Sequence, residues 1–244
     1  MLFRSEAILE IGAGLGELTF ELAALAKNII AVEKDTALTE ILKRELTKRN
    51  INNVELITGD ILKLPKELFK RISPYQVVAN IPYYLTARLV RKLLQEVKQP
   101  ENIVITIQKE VAKRITSRPP RMNLIAVSVQ VYGEPKILFP ISKKSFWPEP
   151  EVDSACIAIQ NISRQKFIEA GANEKSFFKI VRAAFQGKRK MLVNSLSQNL
   201  KIRKEETLSL IRSANIDIAA RPESIPVAGW LELTSLLAKK LPQE

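Results

Sequence analysis

Segments with the apolar pattern of strands alternate with helix-period segments through the first 160 residues, and this alternation constrains the fold more than any other feature. Apolar residues recur every three to four positions in stretches such as 17–26 and 37–49, which lie between short apolar runs. Strands that alternate with helices favour a parallel sheet with helices on both faces, so we predict an α/β fold. The first five strands are expected at residues 7–11, 29–33, 54–57, 76–79 and 103–108.

The sheet is expected to end in antiparallel strands. Two later apolar runs, at residues 127–132 and 154–159, have the composition of strands. They are separated by a segment that contains Pro135 and Pro140, and this arrangement suggests an antiparallel end to the sheet.

Helix patterns alone follow in the C-terminal third of the chain. We predict a boundary near residues 161–173, where Gly171 and Asn173 belong to a loop ahead of a helix. The chain then divides into an α/β domain at residues 1–161 and a small all-α domain at residues 162–244. The helices of the second domain are expected at residues 177–185, 189–199, 204–214 and 227–239.

Two scarce residue types exclude whole classes of chemistry. The 244 residues include no histidine, which excludes a histidine general base, a Ser-His-Asp nucleophile system and His-ligated zinc. The single cysteine, Cys156, excludes an intrachain disulfide and a cysteine-cluster metal site, and it favours a reducing, cytoplasmic location. We expect no metal, and any reaction must use carboxylates, amides, aromatic rings or a cofactor. We also expect no membrane partner, because no apolar stretch approaches the ~20 residues of a membrane span.

Charge is strongly basic and unevenly distributed. The chain has 38 Lys and Arg against 26 Asp and Glu, a net charge of +12. Clustered basic side chains gain affinity for phosphates through counterion release, so a polyanion is one expected partner and a solvated basic helix face is the alternative. The densest stretch, residues 175–204, has no acidic residue and contains Lys175, Lys179, Arg182, Lys188, Arg189, Lys190, Lys201, Arg203 and Lys204.

Three glycines mark the turn between the first predicted strand and the following helix. Gly12, Gly14 and Gly16 have the spacing G-x-G-x-G, and Glu10 precedes them. Glycines at such a turn let the backbone approach a ligand closely and adopt positive φ. The spacing differs from the G-x-G-x-x-G of folds that bind the pyrophosphate of a dinucleotide.

Carboxylates follow the next two predicted strands. Glu33 ends the second strand, where a carboxylate can accept ribose hydroxyls, and Asp60 follows the third beside Gly59, where it can accept an adenine amino group. Taken singly, Glu33 could be a solvated strand end or a helix cap, and Asp60 a turn former. Together with the glycine turn, they converge on the crevice where open α/β sheets bind ligands.

The tetrapeptide Asn80-Ile81-Pro82-Tyr83 directly follows the fourth predicted strand. A turn explains the first three residues, because Asn and Pro are common loop formers. A turn does not require an aromatic residue immediately afterwards, in the same crevice as the predicted ligand.

This tetrapeptide resembles the Asn/Asp-Pro-Pro-Tyr signature of amino-group methyltransferases, and the chain as a whole resembles the S-adenosylmethionine-dependent ribosomal RNA adenine dimethyltransferases. The resemblance covers nearly the full length. The segment 146–154 and the helical tail point to the small-subunit enzymes rather than to the large-subunit methylases that confer antibiotic resistance. Besides 9–19 and 80–86, the segments that carry it are 108–114, 146–154, 181–185, 189–190 and 220–223.

The resemblance implies a Rossmann-like methyltransferase domain that dimethylates N6 of two adjacent adenines in the 3′-terminal hairpin of small-subunit (16S) rRNA during ribosome biogenesis. It implies S-adenosylmethionine as cofactor and the rRNA of a pre-30S particle as partner, and we expect a monomer. The cofactor-binding residues that it implies are Glu10, Gly12, Gly14, Gly16, Glu33, Lys34, Asp60, Ile61 and Asn80. The catalytic residues that it implies are Asn80, Ile81, Pro82, Tyr83 and Phe146.

The chemistry agrees with the resemblance. An adenine amine is a poor nucleophile, and acceptors at the Asn80 side chain and the Ile81 carbonyl would favour a pyramidal nitrogen aimed at the methyl group. Tyr83 and Phe146 would stack on the flipped base. Without the resemblance, Phe146 would be a loop aromatic packed between prolines, and the neighbouring Tyr84 and Trp147 are expected to be structural.

RNA phosphates are expected to bind basic residues on both sides of the pocket. Lys109 and Lys113 are four residues apart, as are Arg114 and Arg118, so each pair can share a helix face. Phosphate contacts position the RNA and carry little sequence information. The expected RNA-binding residues are Lys109, Lys113, Arg114, Arg118, Arg182, Lys188, Arg189 and Lys190.

The N-terminus lacks a counterpart of the Gly-Gln-Asn/His-Phe-Leu segment that closes over the cofactor in this family. We expect that residues 1–5 derive from a sequencing adapter and that a natural N-terminal segment is missing. The alternatives are a large-subunit (23S) adenine methyltransferase, an rRNA-binding assembly factor with impaired catalysis, and a nicotinamide oxidoreductase, which the glycine spacing disfavours.

Overall fold

The computed structural model describes residues 7–187 and 190–237. The chain falls into two compact units, each of which is described by itself. Of the described residues, the first comprises 7–112 and 136–162, and the second comprises 113–135, 163–187 and 190–237. The domain division at residue 161 stays a prediction. The expectation for residues 1–5 concerns a segment outside the described residues.

Seven strands of the described chain form one sheet in the order β3-β2-β1-β4-β5-β7-β6. The first five are parallel, and β7 pairs antiparallel with β5. The predicted α/β fold, with a parallel sheet and an antiparallel end, is confirmed. The strands are β1 (Ala7–Ile11), β2 (Asn28–Glu33), β3 (Val54–Thr58), β4 (Tyr75–Asn80), β5 (Asn102–Gln108), β6 (Glu134–Ile141) and β7 (Ser154–Gln160).

Helices connect the parallel strands. They are α1 (Glu17–Leu25), α2 (Thr36–Lys48), α3 (Lys66–Arg71) and α4 (Thr86–Arg91), which a π-helical turn (Lys92–Glu96) continues, and α5 (Lys109–Ile115) follows β5. Because parallel crossovers are right-handed and the sheet order reverses after β3, α1 and α2 cover one face and α3 and α4 the other. On the first face, Ile8, Leu22, Leu42 and Leu46 form part of the buried core.

The reversal of strand order places β1 between β2 and β4. Open α/β sheets bind ligands at the carboxyl ends of the strands on either side of such a reversal. The loops that follow β1 and β4 carry Gly12 and Asn80, so the fold brings the glycine turn and the tetrapeptide to the same edge of the sheet.

One predicted strand is wrong. Residues 127–132 lie mostly in a helix, α6 (Leu124–Gln130), whose N-cap Asn123 accepts a hydrogen bond from the Ala126 N–H at 3.1 Å. Valines alternate with Ser128 and Gln130 in this run, which is the two-residue period of a strand, and a helix this short shows too few turns for its own period to stand out. The strand that precedes β7 is instead β6, in the segment that contains both prolines.

Helices make up the second unit. Tyr132, Phe167, Phe177 and Phe178 form a buried aromatic cluster, and the Tyr132 hydroxyl donates to Glu174. After α6 the helices are α7 (Gln165–Glu169), α8 (Glu174–Phe185), α9 (Leu192–Leu200), α10 (Lys204–Ser213) and α11 (Val227–Leu237). The four predicted helices are confirmed as α8 to α11, with their residues 189 and 238–239 outside the described chain, whereas α7 was not predicted.

Within the described ranges, no helix has the length and apolar character needed to cross a membrane. The same residues contain no group of three or more His, Cys, Asp or Glu side chains that could hold a metal ion.

Candidate active site

A cleft of about 500 Å³ lies at the carboxyl ends of β1 to β4. Every one of these four strands contributes its last residues or the loop that follows it. The lining residues are Ile11, Gly12, Val32, Glu33, Lys34, Asp35, Gly59, Asp60, Ile61, Asn80, Ile81, Pro82, Tyr84 and Leu85. Six predicted cofactor residues are therefore on the cleft wall. The exceptions are Glu10, Gly14 and Gly16, which do not line it.

The glycine turn touches the tetrapeptide. Gly12, Gly14 and Gly16 all have positive φ, at 81°, 58° and 94°. A Cβ atom on Gly12 would lie 3.0 Å from the Asn80 carbonyl oxygen and 3.2 Å from Cγ2 of Ile81. Only a glycine fits here without displacing the backbone after β4, so the turn and the tetrapeptide form one continuous wall.

Glu33 is held by the main chain of two loops. Its Oε2 accepts the Gly14 N–H at 2.9 Å, and its Oε1 accepts the N–H groups of Lys34 and Asp35 at 2.7 and 2.9 Å. These three bonds fix the carboxylate between the glycine turn and the start of α2. Since a carboxylate has about four acceptor positions, room remains for about one hydrogen bond from a ligand hydroxyl.

Asp60 and Ile61 form the wall after β3. Asp60 Oδ1 accepts the Leu62 N–H at 3.0 Å, and Oδ2 lies 3.7 Å from Nζ of the exposed Lys34. Ile61 is buried and presents apolar surface to the cleft. A carboxylate beside an apolar side chain suits a flat heterocycle that carries an amino group.

Glu10 is a buried carboxylate one residue before the end of β1, on the face that α1 covers. Neither of its oxygens makes a hydrogen bond of normal geometry in the described part of the chain, and the nearby Thr19 is buried as well. Burial raises the pKa of Glu10 to about 7, with the Thr19 hydroxyl lowering it and the Glu33 charge raising it. An uncompensated buried carboxylate fits a ligand that brings a cationic group to the glycine turn.

Tyr83, the last residue of the tetrapeptide, and the next residue, Tyr84, have different surroundings. Asn80 ends β4 exposed at the cleft, Ile81 is buried, and Tyr83–Leu85 form a 3₁₀ turn. The Tyr83 hydroxyl is 2.6 Å from Oγ of the buried Ser154, and Tyr83 does not line the cleft. Tyr84, which was expected to be structural, lines it and is 78% exposed.

The loop that precedes β7 carries Phe146. Asp153 Oδ1 accepts the Lys143 N–H at 3.2 Å, and Oδ2 pairs with Lys109 Nζ at 3.3 Å. The Lys143 N–H and then Lys109 lower the pKa of Asp153 below its usual range. Phe146 is half-buried and does not line the cleft, whereas its neighbour Trp147 is 98% exposed.

The predicted RNA-binding residues lie on several elements. Lys109 and Lys113 share α5, as expected, but Arg118 lies beyond the end of this helix, so the predicted helix-face pair with Arg114 is wrong. The chain leaves the helix at Thr116, and the segment Arg118–Arg121 forms a turn instead.

Two further predicted RNA-binding residues belong to the second unit. Arg182 lies on the exposed face of α8, where its Nε donates to the Phe178 carbonyl at 3.0 Å. Lys190 Nζ donates to Oε1 of Gln198 at 2.8 Å. Lys188 and Arg189 lie outside the described residues.

A family model described as ribosomal RNA adenine dimethylase matches residues 2–239. The chain belongs to this family. Among curated proteins, the ribosomal RNA small subunit methyltransferase A of Dehalococcoides mccartyi is 40% identical over 230 residues, which cover 94% of this chain and 78% of that protein. The protein of the same name from Clostridioides difficile is 34% identical over 244 residues, covering 98% and 83%.

Solved structures with the same fold span nearly the whole of this ribosomal RNA adenine dimethylase. A dimethyladenosine transferase from Plasmodium falciparum superposes with a TM-score of 0.80 at 24% identity, covering 97% of this chain and 91% of that one. The 23S rRNA methyltransferase ErmE gives 0.73 at 24% identity, with 97% and 93% covered. Both likenesses establish the Rossmann-like methyltransferase fold and nothing finer.

Three features of this dimethylase site were not predicted. They are the Ser154 hydroxyl that binds Tyr83, the exposure of Tyr84 to the cleft, and the two hydrogen bonds of Asp153. Two of them involve residues far apart in sequence: Tyr83 and Ser154 are separated by 71 positions, and Lys109 and Asp153 by 44. The motif at 146–154 was a signal for the segment, but its spacing does not reveal which side chains it contacts.

Proposed function

We propose that this dimethylase transfers methyl groups from S-adenosylmethionine to N6 of two adjacent adenines in the 3′-terminal hairpin of small-subunit rRNA. The observation that carries the proposal is the contact between the glycine turn and the tetrapeptide at Gly12 and Asn80, which joins a cofactor cleft to an acceptor for an amino group. The names of the curated relatives, ribosomal RNA small subunit methyltransferase A, support the substrate.

The cofactor would lie along the four strand ends. Glu10 would compensate its ammonium group, Glu33 would accept a ribose hydroxyl, and Asp60 with Ile61 would receive the adenine. Gly12, Gly14 and Gly16 would let the cofactor lie close to the backbone between its ammonium group and its adenine. Lys34 would cover the outer side of the cofactor. When bound, S-adenosylmethionine supplies a methyl group on a positively charged sulfur, which departs as a neutral thioether.

The acceptor adenine would lie against the tetrapeptide. The Asn80 side-chain oxygen and the Ile81 carbonyl would accept the two N–H groups, and Pro82 keeps this turn in one conformation. The Ile81 carbonyl belongs to the main chain of this turn and is in place before the substrate arrives, so it favours the transition state electrostatically without reorganising. Tyr83 and Phe146 would hold the flipped base by stacking, and the released proton can pass to solvent.

RNA phosphates would bind the basic surfaces. Lys175, Lys179 and Arg182 are exposed on α8 at spacings of four and three residues, so they form one stripe along the helix. Such contacts supply affinity that falls steeply with salt, whereas the flipped adenines supply specificity. The other residues proposed for this role are Lys109, Lys113, Arg114, Arg118, Lys188, Arg189 and Lys190.

The test is transfer of tritiated methyl groups to small ribosomal subunits from cells that lack this modification. We expect label on the two adenines, and a loss of at least about 100-fold with Asn80→Ala, since a missing transition-state hydrogen bond costs about 10²- to 10³-fold. Asn52→Ala is the matched control, because Asn52 is exposed at the opposite edge of the sheet, ahead of β3.

Two results would contradict the proposal. Label on large subunits but not on small ones would assign a 23S substrate. Binding to small subunits that is unaffected by Asn80→Ala, with no transfer by the parent protein under any condition, would assign an assembly role instead.

A further inference from the structure

Lys92 is a buried lysine that none of the predicted roles includes. Only 7% of its surface is exposed, and it begins the π-helical turn that continues α4. Its Nζ donates to the Leu62 carbonyl at 3.1 Å and to the Leu64 carbonyl at 3.3 Å, and it lies 5.4 Å from the centre of the Phe69 ring. Burying an ammonium group is costly, so a lysine held in this way indicates a specific task.

The two carbonyls belong to the loop that follows β3, which carries Asp60 and Ile61 into the cleft. This loop closes on itself on the cleft side, where Asp60 Oδ1 accepts the Leu62 N–H and the Asp60 carbonyl accepts the Lys63 N–H at 2.8 Å. Lys92 binds the same loop through carbonyls that those bonds leave free. The loop is therefore fixed through its donors by Asp60 and through its acceptors by Lys92.

A π-helical turn changes the direction of side chains relative to an α-helix, and such turns are frequent at functional sites. Here the Val97 N–H donates to the Lys92 carbonyl five residues earlier. The element that ends in this turn begins directly after the 3₁₀ turn Tyr83–Leu85. A single stretch of chain thus runs from the tetrapeptide to the clamp on the loop after β3.

We propose that Lys92 is a positioning residue for the adenine end of the cofactor cleft. Its ammonium group holds the loop at Leu62 and Leu64 and so keeps Asp60 and Ile61 in the arrangement that receives the adenine ring. This inference rests on the proposed function. Without the clamp the loop samples other conformations, and the affinity for the ligand falls by the fraction of time spent in them.

The experiment compares Lys92→Met with Lys63→Met by isothermal titration. Met preserves the apolar length of the lysine side chain and removes the donors, and Lys63 is an exposed lysine in the same loop. The ligands are S-adenosylhomocysteine and methylthioadenosine, which share the adenosine but differ in the amino-acid part. For Lys92→Met we expect about tenfold weaker binding of both ligands, and for Lys63→Met a change of less than about twofold.

Hydrogen exchange provides a readout that does not depend on ligand. Residues 59–65 should exchange faster in Lys92→Met, whereas the amides of β4 should keep the wild-type rate. Lys92→Arg retains charge and donors and should recover part of the affinity. If Lys92→Met does not fold, Lys92→Gln, which keeps one donor group, takes its place in both measurements.

The outcomes separate the two proposals. A parent protein that binds neither ligand contradicts the proposed function, and the inference fails with it. A parent that binds both ligands, together with a folded Lys92→Met variant of equal affinity and unchanged exchange at 59–65, overturns the inference alone. Weakened binding of both ligands by one factor, with faster exchange confined to that loop, supports it.

Discussion

The two sides of the proposed active site are built by different means. The donor side, residues 10–16, 33–34 and 59–61, is held by main-chain hydrogen bonds, of which Glu33 alone accepts three. The acceptor side, residues 80–84 and 146–154, depends on contacts between distant side chains, such as Tyr83 with Ser154. It also exposes large aromatic surface at Tyr84 and Trp147. A side made from main-chain bonds is complete before any ligand binds, whereas under the proposed function exposed aromatic rings would gain their partners from the RNA.

The largest effect should come from Glu10 on the donor side, as a dependence of stability on pH. Its folded-state pKa of about 7 lies above its ordinary value of 4.5, so the folded protein holds this proton more tightly than the unfolded chain. The stabilisation is complete below pH 4.5 and is lost as the pH rises to about 7. The free energy of unfolding of Glu10→Gln minus that of wild type should therefore be larger at pH 8 than at pH 5. We expect the increase to be about 2 to 3 kcal/mol.

Urea unfolding at both pH values measures this difference. Glu21→Gln, on the exposed face of α1, is the matched control and should follow the wild-type curve. The free energies of unfolding of wild type and Glu10→Gln could instead change with pH in parallel between pH 5 and pH 8. Glu10 would then ionise as an ordinary carboxyl does, and the donor side would carry no uncompensated charge.

Next in size is the loss of cofactor affinity in Glu33→Gln. The amide turns one acceptor into a donor that faces backbone N–H groups, and a hydrogen bond to a charged group contributes about 1.5 to 3 kcal/mol. We expect S-adenosylhomocysteine to bind about 30-fold more weakly, with transfer at saturating cofactor nearly unchanged. Glu55→Gln, which removes an exposed ion pair with Arg71, should bind it normally. Equal affinities of the two variants for S-adenosylhomocysteine would show that Glu33 does not contribute to cofactor binding.

Tyr83→Ala should affect the acceptor side alone. A stacked base contributes about 1 to 3 kcal/mol, so we expect methyl transfer to fall at least about tenfold. Binding of S-adenosylhomocysteine, measured by titration, should change less than about twofold. Tyr84→Ala is the sharpest comparison, because Tyr84 lines the cleft and Tyr83 does not. If Tyr84→Ala loses more methyl transfer than Tyr83→Ala, the stacking role belongs to Tyr84.

The smallest effect should follow from Ser154→Ala. It removes the hydrogen bond to the Tyr83 hydroxyl, and a single such bond contributes about 0.5 to 1.5 kcal/mol. We expect transfer to fall about threefold, and Ser154→Thr, which keeps the hydroxyl, to retain more of it. Tyr83→Phe breaks the same bond from the other side, so the double variant should be no worse than either single one. Fully additive losses would mean that the bond does not position Tyr83.

The contrast between the two sides also explains what the sequence could predict. Glycine spacing and carboxylates at strand ends depend on local backbone geometry, so Gly12, Glu33 and Asp60 were placed correctly on one cleft. The partners of Tyr83 and Lys92 depend on which loops meet in space. The periodicity of the sequence does not show which loops meet. In the sequence, Lys92 has the pattern of an ordinary surface lysine in a helix.

Errors in the fold have a related cause. The run at 127–132 alternates valines with polar residues, which is the two-residue period of a strand, although most of it lies in a helix. The N-cap at Asn123 was a local signal for the helix that the apolar run concealed. In β6, Pro135 and Pro140 argued against a strand, although proline is tolerated in strands at a sheet edge.

The position of β6 has a consequence for how copies of the protein meet one another. It is the last strand of the described sheet on its side, and an unpaired strand edge is the usual template on which another chain adds and aggregates. Pro135 and Pro140 remove two N–H donors from its eight residues, and Glu134 and Lys136 are exposed charges on it. An incoming strand would find an incomplete ladder there, so this edge protects a sheet of apolar strands from growing into a second molecule.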